Sequence, residues 1–573
     1  MRYLALATDY DGTIAGDGTV DKSTVEALQR AKASGRKIIL VTGREMPSLI
    51  EHFPEWEIFD AIVAENGALL VIPSTKHEEL LCEPPPQALI DDLTKHEVEP
   101  LSVGKGILAT WVPHDGIVLQ CIKELGLESQ IIFNKGAVMI LPPGVNKASG
   151  LAAALKYLQL SPHNVVAVGD AENDHAFLTA SEFSVAVDNA LPALKERADF
   201  VTKAKRGAGV EELIDMLIED DLINLSPKRH FISAGTREDG EKEMIDPYNT
   251  GILICGSSGA GKSTTTLGIL DQLCHSNYQF CLIDPEGDYE SFQNAVVIGD
   301  TERAPTIEEV LQLLADPTKS VIVNLLGIAL EDRPEFFTNL LPRLQELRTL
   351  HGRPHWTVVD EAHHMFPVEW KKMSQLAPEN LRSILMITVH PELIAPEVYS
   401  SVDLLLTIGD NAQDKIKMFA KTAGLGAPRM PKETALEQGY GFGWFTKASK
   451  KVELLKLERS EIEKVRHRRK YAEGQLPEER SFYFRGPDGK LNLRVQNLVL
   501  FNQIAQGVDD DTWNFHLRNH DYSKWFKEFI KDDELSQETQ MIESNKNIGA
   551  RETRKLICAA IEKRYTLPAT GAA

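Results

Sequence analysis

Cysteine is scarce. Cys82, Cys121, Cys255, Cys274, Cys281 and Cys558 are scattered through 573 residues with no CxxC pair. This argues against a disulfide framework or a cysteine zinc site and fits reduced, buried thiols of a cytoplasmic protein. Long apolar runs are missing too. None approaches the roughly 20 residues a membrane span needs, and the N-terminal MRYLALATDYDG is interrupted by acids too early for a signal peptide. Positive charge is in deficit, with 62 Lys and Arg against 84 Asp and Glu, a net charge of −22. That disfavours a general affinity for nucleic acid, which draws on cations that release counterions from phosphate. Repeats and low-complexity tracts are also lacking. What remains is an ordinary globular composition, 43% hydrophobic and 25% charged, on a chain too long for one core. Roughly three or four domains are expected.

From Met1 to Ile223, strand-like apolar runs alternate with helix-like stretches: YLALA, STVEALQRAKASG, KIILVTG, DAIVAENGALLVI, NVVAVGD, AENDHAFLTA. This rhythm predicts βαβ units around a parallel sheet. It breaks at about 73–144, where a Pro-rich start (CEPPP) and shorter strands predict an inserted α/β cap, leaving a core of 1–72 and 145–223. Residues 224–250 are polar and charged and read as a linker, although FIS within them could form a short strand. A second alternating region, 251–457, predicts another α/β domain. Residues 458–573 turn charged and amphipathic and predict a mainly helical domain with a loose tail, TLPATGAA. The expected fold class is α/β: two three-layer αβα parallel-sheet domains and a helical C-terminal domain.

Reactive groups gather at the carboxyl ends of parallel strands. TDYDGT follows YLALA and sets Asp9 and Asp11 two residues apart, a spacing that repels unless a cation lies between them. VTGRE places Thr42 and Arg44 after the second strand, GVNKASGLAAAL starts a helix at Lys147, and VVAVGDAENDHAF places Asp170, Asn173 and Asp174 after another strand. Singly, each stretch reads as readily as a turn or helix cap. As an ordered set, with IVAENGALL (Ile62 to Leu70) and SVAVDNALPALKERADFVT (Ser184 to Thr202), they resemble the haloacid dehalogenase-like phosphatases, in the Cof-type sugar-phosphatase and phosphoglycolate phosphatase branch. The resemblance implies Asp9 as nucleophile and Asp11 as the acid that protonates the leaving oxygen and then activates water. It implies Thr42, Lys147 and Asn173 as holders of the substrate phosphate, and Asp9, Asp11, Asp170 and Asp174 as a Mg²⁺ site. The substrate implied is a phosphorylated small molecule, such as a sugar phosphate or phosphoglycolate. The chemistry is coherent, because a carboxylate can approach a phosphate dianion only once a hard cation and a Lys neutralise the site. Covalent capture then divides hydrolysis into two easier steps.

Gly256-Ser257-Ser258-Gly259-Ala260-Gly261-Lys262-Ser263, followed by Thr264, lies between the apolar GILIC and the helix-like STTTLGILDQL and satisfies the P-loop pattern. Its glycines let N–H groups curl around the β-phosphate of ATP, Lys262 neutralises the β- and γ-oxygens, and Ser263 ligates Mg²⁺. Farther on, WTVVDEAHH offers Asp360 for Mg²⁺ and Glu361 to polarise the attacking water. Together with LIDPEGDYE, VVDEAHHMFP and ILMITVHPELIAPEVYSSVD, where Thr388 or His390 takes the sensor's place, the region Gly251 to Gly443 resembles the HerA/FtsK-like P-loop ATPases. Such enzymes usually assemble as rings, which implies a homo-oligomer with Arg343 or Arg348 completing a neighbour's site, although a surface salt bridge suits either residue at least as well. Two departures stand out: His390 where Gln is common, and a phosphatase in place of the usual N-terminal barrel. The basic run KVRHRRK (Lys464 to Lys470) reads as a solvated helix face or a phosphate contact. His516, His520 and Asp521 imitate a metal cluster, but Trp513, Trp525 and Phe526 at near-helical spacing predict core packing.

The expectation is thus a bifunctional protein, a Mg²⁺-dependent phosphomonoester hydrolase joined to an ATPase. Two rivals stand beside it: a kinase and phosphatase acting on nucleic-acid ends, with Asp284 as base, and an ATP-sensing regulator that gates the phosphatase.

Overall fold

The computed structural model describes residues 1–134, 136–248, 250–257, 259–290, 292–368, 381, 383–432, 436–458, 476, 481–530, 532–545 and 548–565. Ser258, the run KVRHRRK and the tail TLPATGAA lie outside the described residues. The chain packs as two compact units, Met1–Glu458 and Arg459–Ala573. Among the described residues no helix is long and apolar enough to cross a membrane.

YLALA supplies the strand Ala5–Thr8, buried at every position, near the middle of an eight-stranded sheet. Its strands run in the order Phe200–Val201, Phe183–Ala186, Val165–Gly169, Ala5–Thr8, Lys37–Val41, Ala61–Ala64, Leu69–Ile72, His77–Leu80. The first six are parallel. Helices cover both faces of such a sheet, which is why its central strands are unbroken runs of Val, Ile, Leu and Ala rather than alternations. The last two strands are antiparallel. They shift the expected cap boundary at 73, because residues 73–80 turn back through Lys76, at φ +55°, and extend the core sheet. The cap that remains is a four-stranded sheet (Gln130–Asn134, Ala137–Leu141, Leu108–Trp111, Ser102–Val103) backed by the helices Gln87–Lys95 and Asp115–Glu124. Leu89, Leu93, Leu108, Val118, Cys121 and Ile140 form its core.

Residues 224–250, expected as a linker, carry the antiparallel strands Ile232–Arg237 and Lys242–Ile245. Their polarity belongs to the exposed turn at Glu238 to Glu241, while Ile232, Ala234 and Ile245 are buried. This hairpin pairs through Glu453–Leu457 with a second sheet, of eleven strands. The parallel part of that sheet runs Leu404–Ile408, Ile252–Gly256, Ile384–Thr388, Trp356–Val359, Phe280–Asp284, Ser320–Asn324, Ala295–Ile298.

The two sheets share one compact unit because polar groups at the amino ends of their strands interlock. Glu182 accepts hydrogen bonds from Arg2 Nη2 and His163 Nδ1, each at 2.6 Å, and from the Tyr278 hydroxyl at 3.1 Å. His163 stacks on Tyr278 with ring centroids 3.7 Å apart, and its Nε2 lies 2.6 Å from the Ser276 carbonyl oxygen. Arg353 donates to the carbonyl of Gln159 at 2.7 Å. Burial alone pushes the Glu182 carboxyl up, but the hydrogen bond and charge of His163, with His230 and Arg2, outweigh it and bring it down to about 2.

In the second unit, the hairpin Phe482–Phe484 and Leu493–Val495 and the helices Leu498–Gly507, Asp510–Arg518, Asp521–Trp525, Asp533–Ser544 and Ala550–Tyr565 enclose Phe484, Phe501, Trp513, Tyr522 and Phe526. His516 belongs to this core. Its Nδ1 lies 2.8 Å from Asp521, and its Nε2 accepts the Arg485 N–H at 3.0 Å.

Candidate active sites

The strand Ala5–Thr8 delivers Asp9 to its carboxyl end, and the neighbouring strand Val165–Gly169 delivers Asp170. Asp9, Asp170 and Asp174 are all buried. Each offers a carboxylate oxygen, and these atoms lie within 4.8 Å of one another. Lys147 Nζ stands between two of them, donating at 2.6 Å to Asp9 Oδ1 and at 2.6 Å to Asp174 Oδ1. Asn146 caps the helix that starts at Lys147 by accepting N–H bonds from Ala148 and Ser149. That helix comes close to the sheet because Gly67 and Gly150 face each other; a Cβ on Gly150 would lie 2.6 Å from Gly67 Cα.

Burial, then repulsion from Asp174, lifts the Asp9 carboxyl to about 7 against the pull of Lys147. Three buried carboxylates facing one ammonium leave negative charge uncompensated, and this all-oxygen donor set fits a hard divalent cation. Asp174 is also a brace, because its Oδ2 accepts the N–H groups of Asp170 and Ala171 at 2.8 and 2.9 Å.

Asp11, expected as a fourth ligand, is not gathered with the other three. Arg44 grips it by both oxygens, at 2.8 and 2.7 Å, the bidentate geometry that arginine favours with a carboxylate. Thr42 is buried, and its hydroxyl accepts the Arg44 N–H at 3.1 Å. Asn173 donates to Asn66 Oδ1 at 2.9 Å, while its own Oδ1 is buried with no partner among the described residues. Sequence reasoning assigned no role to four residues here. Thr13 Oγ1 lies 3.3 Å from both Asp9 and Asp170. Arg44 holds Asp11. Asn66, at φ +52°, reaches Met139 of the cap. Glu65 holds the cap turn between Ser102–Val103 and Leu108–Trp111 by accepting the N–H groups of Lys105 and Gly106 at 3.1 and 2.8 Å. The ENG signature and the Thr of DYDGT were the available signals.

The P-loop strand Ile252–Gly256 runs into the helix Lys262–His275, with Ser263 and Thr264 in its first turn. A Cβ on Gly256 would lie 2.6 Å from the Ile408 carbonyl oxygen, and Gly259 and Gly261 take φ +75° and +104°, so the loop needs these glycines. The Lys262 ammonium rests 3.3 Å from the Ser257 carbonyl. Ile384–Thr388 lies between the P-loop strand and Trp356–Val359, so adjacent parallel strands present Thr388 and Asp360 beside the loop. Burial first, with the charges of Glu361 and Asp284, lifts the Asp360 carboxyl to about 7. Burial raises Glu361 as well, and Lys262 opposes it.

Asp284, the base that a kinase reading requires, accepts the N–H groups of Gly287, Asp288 and Tyr289 at 2.9, 3.1 and 2.9 Å and thereby closes its own loop. Arg348 donates to the Pro354 carbonyl at 2.9 Å and approaches Thr357, so it serves the fold of its own chain and not a neighbour's site. Arg343 is exposed and pairs with Glu346 at 3.5 Å.

Over residues 6–100 and 118–214 the chain matches the haloacid dehalogenase-like hydrolase family, and over residues 248–325 it matches the central domain of helicase HerA. Phosphoglycolate phosphatase 2 of Saccharolobus solfataricus is 32% identical over 224 residues, covering 38% of this chain and 92% of that protein. The phosphoglycolate phosphatase of Methanothermobacter thermautotrophicus is 31% identical over 228 residues, covering 37% and 96%. A solved haloacid dehalogenase-like hydrolase from Bacteroides thetaiotaomicron covers 38% of this chain and 99% of its own at 18% identity, with a TM-score of 0.34.

Proposed function

Since the chain belongs, through its first 214 residues, to the haloacid dehalogenase-like hydrolases, we propose that it hydrolyses a phosphate monoester there and ATP at its P-loop. The observation that carries the first activity is Asp9, buried against Lys147 with two further carboxylates beside it. Asp9 attacks phosphorus, and the ester oxygen departs as the Asp9–phosphorus bond forms. Lys147 offsets charge on the phosphoryl oxygens, and Thr42 and Asn173 help to seat them. Asp9, Asp170 and Asp174 are the residues that would hold Mg²⁺, which when bound supplies the charge neutralisation a dianion needs to meet a carboxylate. Asp11 must leave the Arg44 fork before it can protonate the leaving oxygen and later take a proton from water, whose oxygen then attacks phosphorus, breaks the Asp9–phosphorus bond and frees orthophosphate. The phosphoglycolate phosphatases named above support a small phosphorylated acid as substrate.

At the second site, Lys262 and the loop N–H groups bind the ATP phosphates, Ser263 and Asp360 would hold Mg²⁺, and Glu361 draws the proton from the attacking water. The loop-closing role of Asp284 favours this reading over phosphate transfer to a nucleic-acid end. If copies of this chain complete one another's sites, the exposed Arg343 is a candidate to do so.

Asp9→Asn should abolish hydrolysis of phosphorylated metabolites with Mg²⁺ while sparing ATP hydrolysis, and Lys262→Ala should do the reverse. Both activities are read on the purified full chain by phosphate release. Loss of both in either variant would refute two independent centres.

A further inference from the structure

The mechanism above leaves His363 unused, in the first turn after Glu361. Its ring is pinned. The side chain is only 10% exposed, its centroid lies 4.0 Å from that of His364, and it meets His390 edge-on at 5.4 Å. From this fixed ring, Nδ1 points at two oxygens, Thr388 Oγ1 at 3.0 Å and Glu361 Oε2 at 3.3 Å. Glu361 Oε2 is buried and closes no hydrogen bond among the described residues, so the 3.3 Å approach of Nδ1 is a contact that a small turn of the carboxylate would complete. The Glu361 backbone adopts φ +42°, a left-handed conformation that residues with a Cβ keep only where the surroundings impose it. Thr388 Oγ1 also receives the His390 N–H at 3.0 Å, so that hydroxyl is fixed from a second side. A neutral imidazole carries one proton. On Nδ1 it faces two acceptors, whereas a bare Nδ1 would set its lone pair against a carboxylate.

We propose that His363 is a positioning residue for ATP hydrolysis: its Nδ1–H directs the Glu361 carboxylate toward the attacking water and links it to Thr388 on the adjacent strand. The inference rests on reading the second site as an ATPase. A carboxylate on two freely turning methylenes samples many directions, and proton transfer demands one of them. The Val389 N–H already acts on this carboxylate, and a second donor at Oε2 narrows its direction further.

The test compares the full-length wild type with His363→Ala, His363→Asn and His363→Gln, measuring steady-state ATP hydrolysis, the affinity for a fluorescent ATP analogue, and phosphate-ester hydrolysis at the first site as a check on folding. His363→Ala is expected to lower kcat about 10-fold or more, with KM and nucleotide affinity changed less than about 3-fold, the pattern of a group that acts in the chemical step rather than in binding. His363→Asn places an amide N–H near the Nδ1 position and should recover most of the rate. His363→Gln reproduces the Nε2 end of the ring and should not. An unchanged kcat in the alanine variant, or recovery by glutamine equal to that by asparagine, overturns the proposal. A wild type that binds the analogue but hydrolyses no ATP overturns the ATPase reading and this inference with it. The first kind of failure needs an active wild type, so the two are told apart.

Discussion

Asp9 and Asp360 carry a sharp electrostatic conflict, each lifted to about 7, chiefly by burial, from the ordinary aspartate value of about 4. A carboxyl raised above its unfolded value holds its proton more tightly in the folded state. The stability it lends is therefore complete below about pH 4 and drains away as pH rises through about 7. The metal-free chain should melt at progressively lower temperature between pH 5 and pH 8. Mg²⁺ should restore more at pH 8 than at pH 5, because it then meets the charged carboxylates. Thermal melts at both pH values, with and without Mg²⁺, check this, and an equal metal effect at both would contradict it. The acids that make the conflict were legible in the sequence, since each follows a strand at a characteristic spacing. Thr13, Asn66 and the fork between Arg44 and Asp11 were not, because those contacts depend on which strand ends become neighbours. Arg348 misled for the same reason: as a residue type it suited a neighbour's site, and only the fold turns it onto its own backbone carbonyls.

Among the elements, the helix Lys147–Tyr157 decides whether Lys147 arrives between Asp9 and Asp174, and its approach depends on the bare face at Gly150. A methyl there would lie 2.3 Å from Val63 Cγ1, too close for either side to relax cheaply. Gly150→Ala should cost about 1–3 kcal/mol of stability by overpacking and lower phosphatase kcat while leaving ATP hydrolysis near its wild-type rate. Denaturant unfolding and the two phosphate-release assays measure these effects. Buried parallel strands announced themselves as uninterrupted apolar runs. The elements at 73–80 and 232–245 did not, because edge strands and hairpins have one wet side and a composition close to that of a loop. The cap boundary read from composition alone therefore fell inside a sheet, and the stretch read as a linker, where only FIS was read as strand-like, holds a whole hairpin.

For the molecule as a whole, the junction around Glu182 joins the two α/β halves of Met1–Glu458 into one compact unit. Because its folded carboxyl sits at about 2, below the ordinary glutamate value near 4.5, Glu182 lends stability that is complete above about pH 4.5 and is lost as pH falls toward 2. The full shift is worth roughly 3 kcal/mol. Glu182→Gln leaves Arg2 buried without its counter-charge, a change that typically costs about 3–5 kcal/mol. Calorimetry of the wild type near neutral pH should show Met1–Glu458 unfolding in one transition, which this variant splits into two. A variant that still melts as one would show that the apolar contacts suffice. Two α/β halves could be read from the repeated strand-and-helix rhythm. That they fuse could not, since His163, Glu182, Tyr278 and Arg353 lie far apart in the sequence and none belongs to a motif.

The interlocked groups sit at the amino ends of strands such as Val165–Gly169 and Phe280–Asp284, so each reactive centre lies a full strand away, roughly 17 Å from the seam. On the reading proposed above, orthophosphate freed at one centre therefore emerges remote from the other, into solution where a scavenging enzyme could intercept it.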